Sequence, residues 1–146
     1  MGNLYLSYRE GFPKDLTSPF LEKYDGTIIT YNDLEEQSSQ YANGFFDIGL
    51  KPGDRVSIQV NKSPEVIYIY LACLRSNLIF HPLNTAYKAN ELSFFLGDAQ
   101  PSIFICEKQI YESISSLDLL SKPENIYTLN SDEKESIHHI KREGDH

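Results

Sequence analysis

Residues 48–101 read IGLKPGDRVSIQVNKSPEVIYIYLACLRSNLIFHPLNTAYKANELSFFLGDAQP, and this stretch decides the fold. Lys51-Pro-Gly-Asp54 has the composition of a turn. Arg55 to Val60 alternates, with Val56, Ile58 and Val60 on one face, which predicts a strand. Ser63 followed by Pro64 predicts a helix start. Serine can cap free amides, and proline lacks an N–H where a helix does not need one. The helix from Glu65 to about Ser76 is apolar nearly all round, so it is expected to be buried. Leu78-Ile-Phe80 predicts a short strand, and Ala89 to Leu96 a helix ending near Gly97. Strands alternating with helices predict right-handed crossovers and a mostly parallel sheet.

Working outward, Phe20–Tyr24 and Thr27–Thr30 predict a hairpin closed by Asp25-Gly26 as a two-residue turn. Thr30 with Asp33 three residues on is a capping-box pattern. Leu34, Tyr41, Ala42 and Phe45 share one face of the helix that follows. Gly49 can end that helix in the left-handed conformation, and Pro52 discourages its resumption. Ser102–Cys106 predicts a strand, Ile110, Ile114 and Leu117 mark a helix, and Asn125–Leu129 a last strand. Residues 130–146, NSDEKESIHHIKREGDH, offer only Ile137 and Ile140 as aliphatic side chains. The expected division is a folded unit over 1–129 and a polar tail or loop over 130–146.

Composition narrows the function classes. At 146 residues the chain has room for one core. A net charge of −8 argues against a nucleic-acid partner, which needs a Lys/Arg surface. The longest apolar stretch, Val66–Leu74, falls short of the roughly 20 residues that span a bilayer. The first residues lack a basic and apolar leader, and Leu6 occupies the position where a myristoylation signal wants Ser or Thr. Cys73 and Cys106 sit in apolar runs without metal-ligand spacing, as expected of buried thiols in a reducing, cytoplasmic compartment. His138 and His139 are adjacent, with His146 nearby. Neighbours along a chain point apart, so no metal site is expected there.

Thr30-Tyr31 with Leu34, then Gly49-Leu-Lys-Pro-Gly-Asp-Arg-Val56, Pro82-Leu-Asn84 and Glu91-Leu92 form an ordered series. This series resembles the N-terminal region of AMP-forming acyl-CoA synthetases, the adenylate-forming superfamily. The likeness is strong from Ile28 to Cys106. Lys62-Ser-Pro-Glu65, Tyr70-Leu-Ala-Cys-Leu-Arg75 and Pro82-Leu-Asn-Thr-Ala-Tyr87 look most like malonyl-CoA synthetases. Three positions depart from the family pattern. Asn77 stands where glycine is usual, His81 where an apolar or aromatic residue is common, and Lys88 where Thr or Ser caps a helix.

The resemblance implies an α/β fold, with strands and helices alternating around a mostly parallel sheet, as part of the large N-terminal domain of an adenylate-forming enzyme. It implies the N-terminal portion of an ATP-dependent carboxylate–CoA ligase, with malonate as the acid. In the full-length family ATP, CoA and Mg²⁺ are the cofactors, and a small-molecule carboxylate and CoA are the partners. That chemistry needs backbone amides and cations around phosphates, which the family takes from a Ser/Thr/Gly-rich loop ending in Lys. The 8 glycines here are scattered and form no such loop. The loop is expected past His146, no catalytic residue is expected in this chain, and the isolated chain is expected to be inactive and to bind none of the cofactors tightly.

Asn84, Thr85 and Tyr87 follow a predicted parallel strand, at the carboxyl end where open α/β sheets place ligands. The resemblance sets them near the channel for the CoA pantetheine arm. The plainer reading, that Asn84 and Thr85 satisfy turn backbone groups, stays open beside it. Asp54 and Arg55 read as a turn pair, and Lys62 as a solvated lysine at a helix entry. The alternative function is a non-catalytic binding or interaction module that kept the fold. A piece of a larger domain would expose apolar surface, whereas an independent module would not.

Overall fold

A computed structural model describes residues 3–115, 125–129 and 136–143. In chain order the elements are α1 (Leu4–Glu10), β1 (Pro19–Glu22), β2 (Ile28–Thr30), α2 (Tyr31–Asp47), β3 (Arg55–Gln59), α3 (Pro64–Arg75), β4 (Ile79–Pro82), α4 (Ala89–Ala99), β5 (Ile103–Cys106), α5 (Lys108–Ser115) and β6 (Asn125–Thr128). A 3-10 turn, Ile137–Ile140, follows. The antiparallel pair β1–β2 stands apart from a four-stranded sheet in the order β4-β3-β5-β6, in which every pairing is parallel. The alternation read from residues 48–101 is therefore the architecture observed.

The sheet is covered on both faces. Val56, Ile58, Ile103 and Ile105 pack against Leu34, Tyr41, Ala42 and Phe45 of α2 and Tyr68, Ile69, Leu71, Ala72 and Cys73 of α3. On the other face Phe104 and Cys106 pack against Leu92 and Leu96 of α4 and Ile114 of α5. A strand buried on both sides reads as a continuous apolar run, as Ile103–Cys106 does.

Several local signals act as their chemistry dictates. Thr30 accepts from the Asp33 amide at 3.1 Å while the Asp33 carboxylate accepts from the Thr30 amide at 2.8 Å, closing the capping box. Asn77 holds φ 56, the left-handed conformation that asparagine tolerates better than most residues. Asn3 caps α1 through the Tyr5 amide at 2.7 Å and donates to the Leu74 carbonyl at 2.7 Å, which ties α1 to the end of α3. Arg75 reinforces that tie by donating to the Tyr5 hydroxyl at 2.8 Å, with its guanidinium 4.4 Å from the Tyr5 ring centroid.

Three expectations are corrected. The hairpin turns through three residues, not two: Lys23 N–H donates to the Thr27 carbonyl at 2.9 Å and Gly26 N–H to the Lys23 carbonyl at 3.0 Å. Only Gly26 takes a positive φ, the geometry of a turn with a glycine bulge. Helix α4 runs through Gly97 and stops at Gln100, φ 46. The stop comes from Pro101, which disfavours helical backbone in the residue before it. Ser63 occupies the N-cap of α3 but its hydroxyl makes no capping bond. Its backbone, φ −162, is more extended than that of Thr30, φ −95, whose hydroxyl does reach an amide. Leu117 and residues 130–135 lie outside the described residues.

Residues 136–143 pack as a strap on the folded unit. Ser136 bridges Thr128 beside β6, and Ile137 is fully buried. Lys141 donates to Gln37 at 3.1 Å, and the Asn43 amide donates to the Arg142 carbonyl at 2.9 Å. Arg142 grips Asp47 at 2.5 and 3.2 Å. The His138 ring lies 3.4 Å from the Tyr41 hydroxyl, which also donates to Glu65. Two isolated isoleucines make no period, so the pattern in the sequence is polar. Ile137 nonetheless fills the core, Ile140 packs against its edge, and polar bonds specific to α2 hold the rest.

The strap needs Gly44. A Cβ there would sit 2.2 Å from the Ile140 carbonyl oxygen, whereas one at Gly97 would meet nothing within 4 Å. Gly44→Ala should therefore lower stability by about 1–3 kcal/mol through overpacking, and Gly97→Ala should raise it by about 0.5–1 kcal/mol as a helix substitution. Urea unfolding of the two variants measures both signs.

Burial also sets a pH dependence. It pushes the Cys106 thiol, which also feels the Glu107 charge, up to about 12, and raises Cys73 further. It lifts the Tyr68 phenol to about 12, with the Glu65 and Asp33 charges adding, and raises Tyr41 more through burial and Glu65. In the unfolded chain thiols ionise near 8.5 and phenols near 10. The unfolded chain therefore releases these protons first, so stability present below about pH 8.5 is lost as pH climbs toward about 12. The urea midpoint should be lower at about pH 10.5 than at about pH 8; an unmoved midpoint would contradict the burial of these groups.

Candidate functional site at the carboxyl edge of the sheet

Parallel strands end together, and their carboxyl edge collects the loops that can meet a ligand. Here that edge is formed by Pro82, Gln59, Cys106 and Thr128. The register pairs Gln59 with Cys106 and Cys106 with Thr128, so the three side chains form one row on the α4–α5 face. All three residues are buried.

The segment Asn84–Tyr87 lies over this row. Leu83 N–H donates to the Ile58 carbonyl at 2.8 Å and extends the β4 pairing by one residue. The chain then turns: Tyr87 N–H donates to the Asn84 carbonyl at 3.1 Å, and Ala86 N–H to the Asn84 side-chain oxygen at 2.8 Å. Gln59 donates from its amide nitrogen to the Asn84 carbonyl at 2.8 Å and the Tyr87 carbonyl at 3.0 Å. The Tyr87 ring stacks on Phe95 with centroids 4.7 Å apart and planes at 16°, and Phe94 meets Phe95 edge-on at 5.3 Å. Lys88 contributes no side-chain cap to α4; its backbone amide donates to Glu91 at 3.1 Å.

The three residues singled out by sequence are thus brought into one turn. Asn84 performs the plainer role, because its side-chain oxygen and its carbonyl both close the turn. Thr85 is exposed at the tip, and Tyr87 is half-buried against α4. Gln59 was missed. In the sequence it is one polar residue in an alternating strand, a pattern that points it outward toward solvent. The carboxyl edge also includes Glu107, whose carboxylate accepts from the Asn61 amide at 2.8 Å.

Other residues lie elsewhere. Asp54 accepts from the Lys51 amide at 2.8 Å, and Arg55 donates to the Ala99 carbonyl at 2.7 Å, so both are structural at the opposite edge. His81 lies 2.8 Å from the Ser57 hydroxyl, giving that buried strand oxygen a partner. Lys62 lines an open groove of about 970 Å³ together with Leu21, Tyr24, Pro64, Val66 and Ile67. Among the described residues no group of three or more His, Cys, Asp or Glu side chains is arranged to hold a metal ion. Among the same residues no helix is long and apolar enough to cross a membrane.

The chemistry of the turn limits what it can hold. An exposed amide, a hydroxyl and an aromatic ledge suit an uncharged arm that carries hydrogen-bonding groups. A triphosphate needs converging amides and cations, and the carboxylate of Glu107 opposes one here.

Comparison with known proteins gives this edge a context. A family model described as AMP-binding enzyme matches residues 11–145. The acetyl-coenzyme A synthetase of Chlorobaculum tepidum is 32% identical over 85 residues, which are 58% of this chain and 13% of that protein. The crotonobetaine/carnitine–CoA ligase of Salmonella typhimurium is 27% identical over 99 residues, 66% of this chain and 19% of that protein. The crystal structure of apo MatB from Rhodopseudomonas palustris superposes with a TM-score of 0.83 at 31% identity, over 94% of this chain and 27% of that one. The chain thus spans less than a third of each of these relatives. The parallel sheet and its flanking helices are the fold of the N-terminal domain of adenylate-forming enzymes. With the family model matched over residues 11–145, the chain belongs to the AMP-binding enzyme family.

Proposed function

We propose that this chain is the N-terminal scaffold of an ATP-dependent carboxylate–CoA ligase, with malonate as the acid. The observation that carries the reading is the superposition on MatB over 94% of the chain at 31% identity. The Lys62–Glu65, Tyr70–Arg75 and Pro82–Tyr87 segments, which look most like malonyl-CoA synthetases, support the choice of acid. In this chemistry a carboxylate oxygen bonds to the α-phosphorus of Mg²⁺-bound ATP as pyrophosphate leaves. The CoA sulfur then bonds to the acyl carbon, losing its proton, as AMP leaves.

This chain's own residues supply position and shape to those steps. Asn84, Thr85 and Tyr87 border the path of the CoA arm. The exposed Thr85 offers it a hydroxyl, and the Tyr87–Phe95 stack gives it a flat apolar wall. No residue of this chain makes or breaks a bond in either step, and no Gly-rich phosphate loop is present in its sequence. The open grooves weigh against the stand-alone module. One is lined by Leu21, Tyr24, Val66 and Ile67, the other by Phe12, Phe20, Tyr31 and Tyr70. Such faces belong to a piece that packs on further structure. The buried free thiols Cys73 and Cys106 support a cytoplasmic, reducing location.

Two assays test the proposal. The 146-residue chain alone should give no malonate-dependent exchange of pyrophosphate into ATP; exchange above background would overturn it. The reading frame continued past His146 should enter a Ser/Thr/Gly-rich loop ending in Lys. Its product should adenylate malonate with a kcat/KM at least about tenfold above that for acetate. A frame without the loop would sink the ligase reading, and equal rates would sink malonate.

A further inference from the structure

We propose that Gln59 is a positioning residue. It fixes the shape of the Asn84–Tyr87 turn and so holds open the path of an incoming CoA arm; the part concerning CoA rests on the ligase reading above.

Gln59 is the last residue of β3, the strand hydrogen-bonded to both β4 and β5, and it is 1% exposed. Its amide nitrogen carries two N–H groups. One serves the Asn84 carbonyl at 2.8 Å and the other the Tyr87 carbonyl at 3.0 Å. One planar group on the sheet therefore sets the two ends of the turn at once. Thr85 lies between the two pinned carbonyls. The Tyr87 backbone is held from one side by Gln59, and its ring from the other by Phe95 at 4.7 Å.

The choice of glutamine has a cost in packing. Its side-chain oxygen is buried and has no hydrogen-bond partner among the described residues. Desolvating an amide oxygen without a partner is unfavourable. Its row-mate Cys106 is a small apolar neighbour, and an aliphatic side chain at position 59 would avoid that desolvation. What glutamine supplies, and an aliphatic residue cannot, is the pair of donors. A turn shaped before its ligand arrives loses less conformational freedom on binding.

Two variants of the 146-residue chain test this. Gln59→Met keeps the length of the side chain and removes both donors. Gln59→Asn keeps an amide but draws it back by one methylene, and it also serves if the methionine variant does not fold. Amide exchange is followed by NMR at Ala86 and Tyr87, with Val56 and Ile105 as references, and CoA is titrated while the Thr85 and Tyr87 signals are read. Both variants should speed exchange at Ala86 and Tyr87 by at least about tenfold, with the references within about twofold. CoA-induced shifts at Thr85 and Tyr87 should weaken by at least about fivefold in Kd. Unchanged exchange at Ala86 and Tyr87, or references that move as much as the turn, overturns the positioning role. Faster exchange in the variants with CoA-induced shifts at Thr85 and Tyr87 of undiminished Kd upholds the positioning role and overturns the CoA reading instead.

Discussion

Burial of β3 and β5 on both faces is the constraint from which the rest of the structure follows. A strand covered on one side can turn its polar residues to water. Here α2 and α3 close one face and α4 and α5 the other, so any polar side chain in these strands must find a partner inside the protein. Ser57 finds His81 at 2.8 Å, and Gln59 finds the two carbonyls of the Asn84–Tyr87 turn. The polar chemistry of the carboxyl edge is thus a result of closing the sheet on both sides. It joins the interior of the scaffold directly to the Asn84–Tyr87 turn.

What the sequence revealed, it revealed through local physics. The Thr30–Asp33 box, the Pro64 start, the left-handed Asn77 and the alternation in Arg55–Gln59 each depend on a few neighbouring residues. The order of strands and helices follows from them. What it concealed depends on contacts between distant residues. The stop of α4 at Gln100 was assigned to Gly97, because glycine is the commoner signal, although the proline at 101 governed it. The strap over α2 showed no period, since its hold comes from Arg142 on Asp47 and from Ile140 against Gly44. No pattern within eight residues records a partner ninety residues away.

The candidate site divides in the same way. Asn84, Thr85 and Tyr87 were legible because strand–turn–helix order puts them at a carboxyl edge. The function of Asn84 within the turn was legible too, as an ordinary property of asparagine. Gln59 was not, because the alternation that marks a strand also marks its polar residues as solvent-facing. Only the position of α4 turns that inference around. The family resemblance added the fold to which the turn belongs; it did not single out the residue that ties the turn to the sheet.

The strap has a further consequence, for the route of the chain. It leaves β6 at the carboxyl edge, where Ser136 bridges Thr128, and runs back along α2 to Asp47. Asp47 is the end of α2 from which the chain passes, through the Lys51 turn, into the start of β3. By Arg142 the polypeptide has therefore travelled from the carboxyl edge of the sheet to the opposite one.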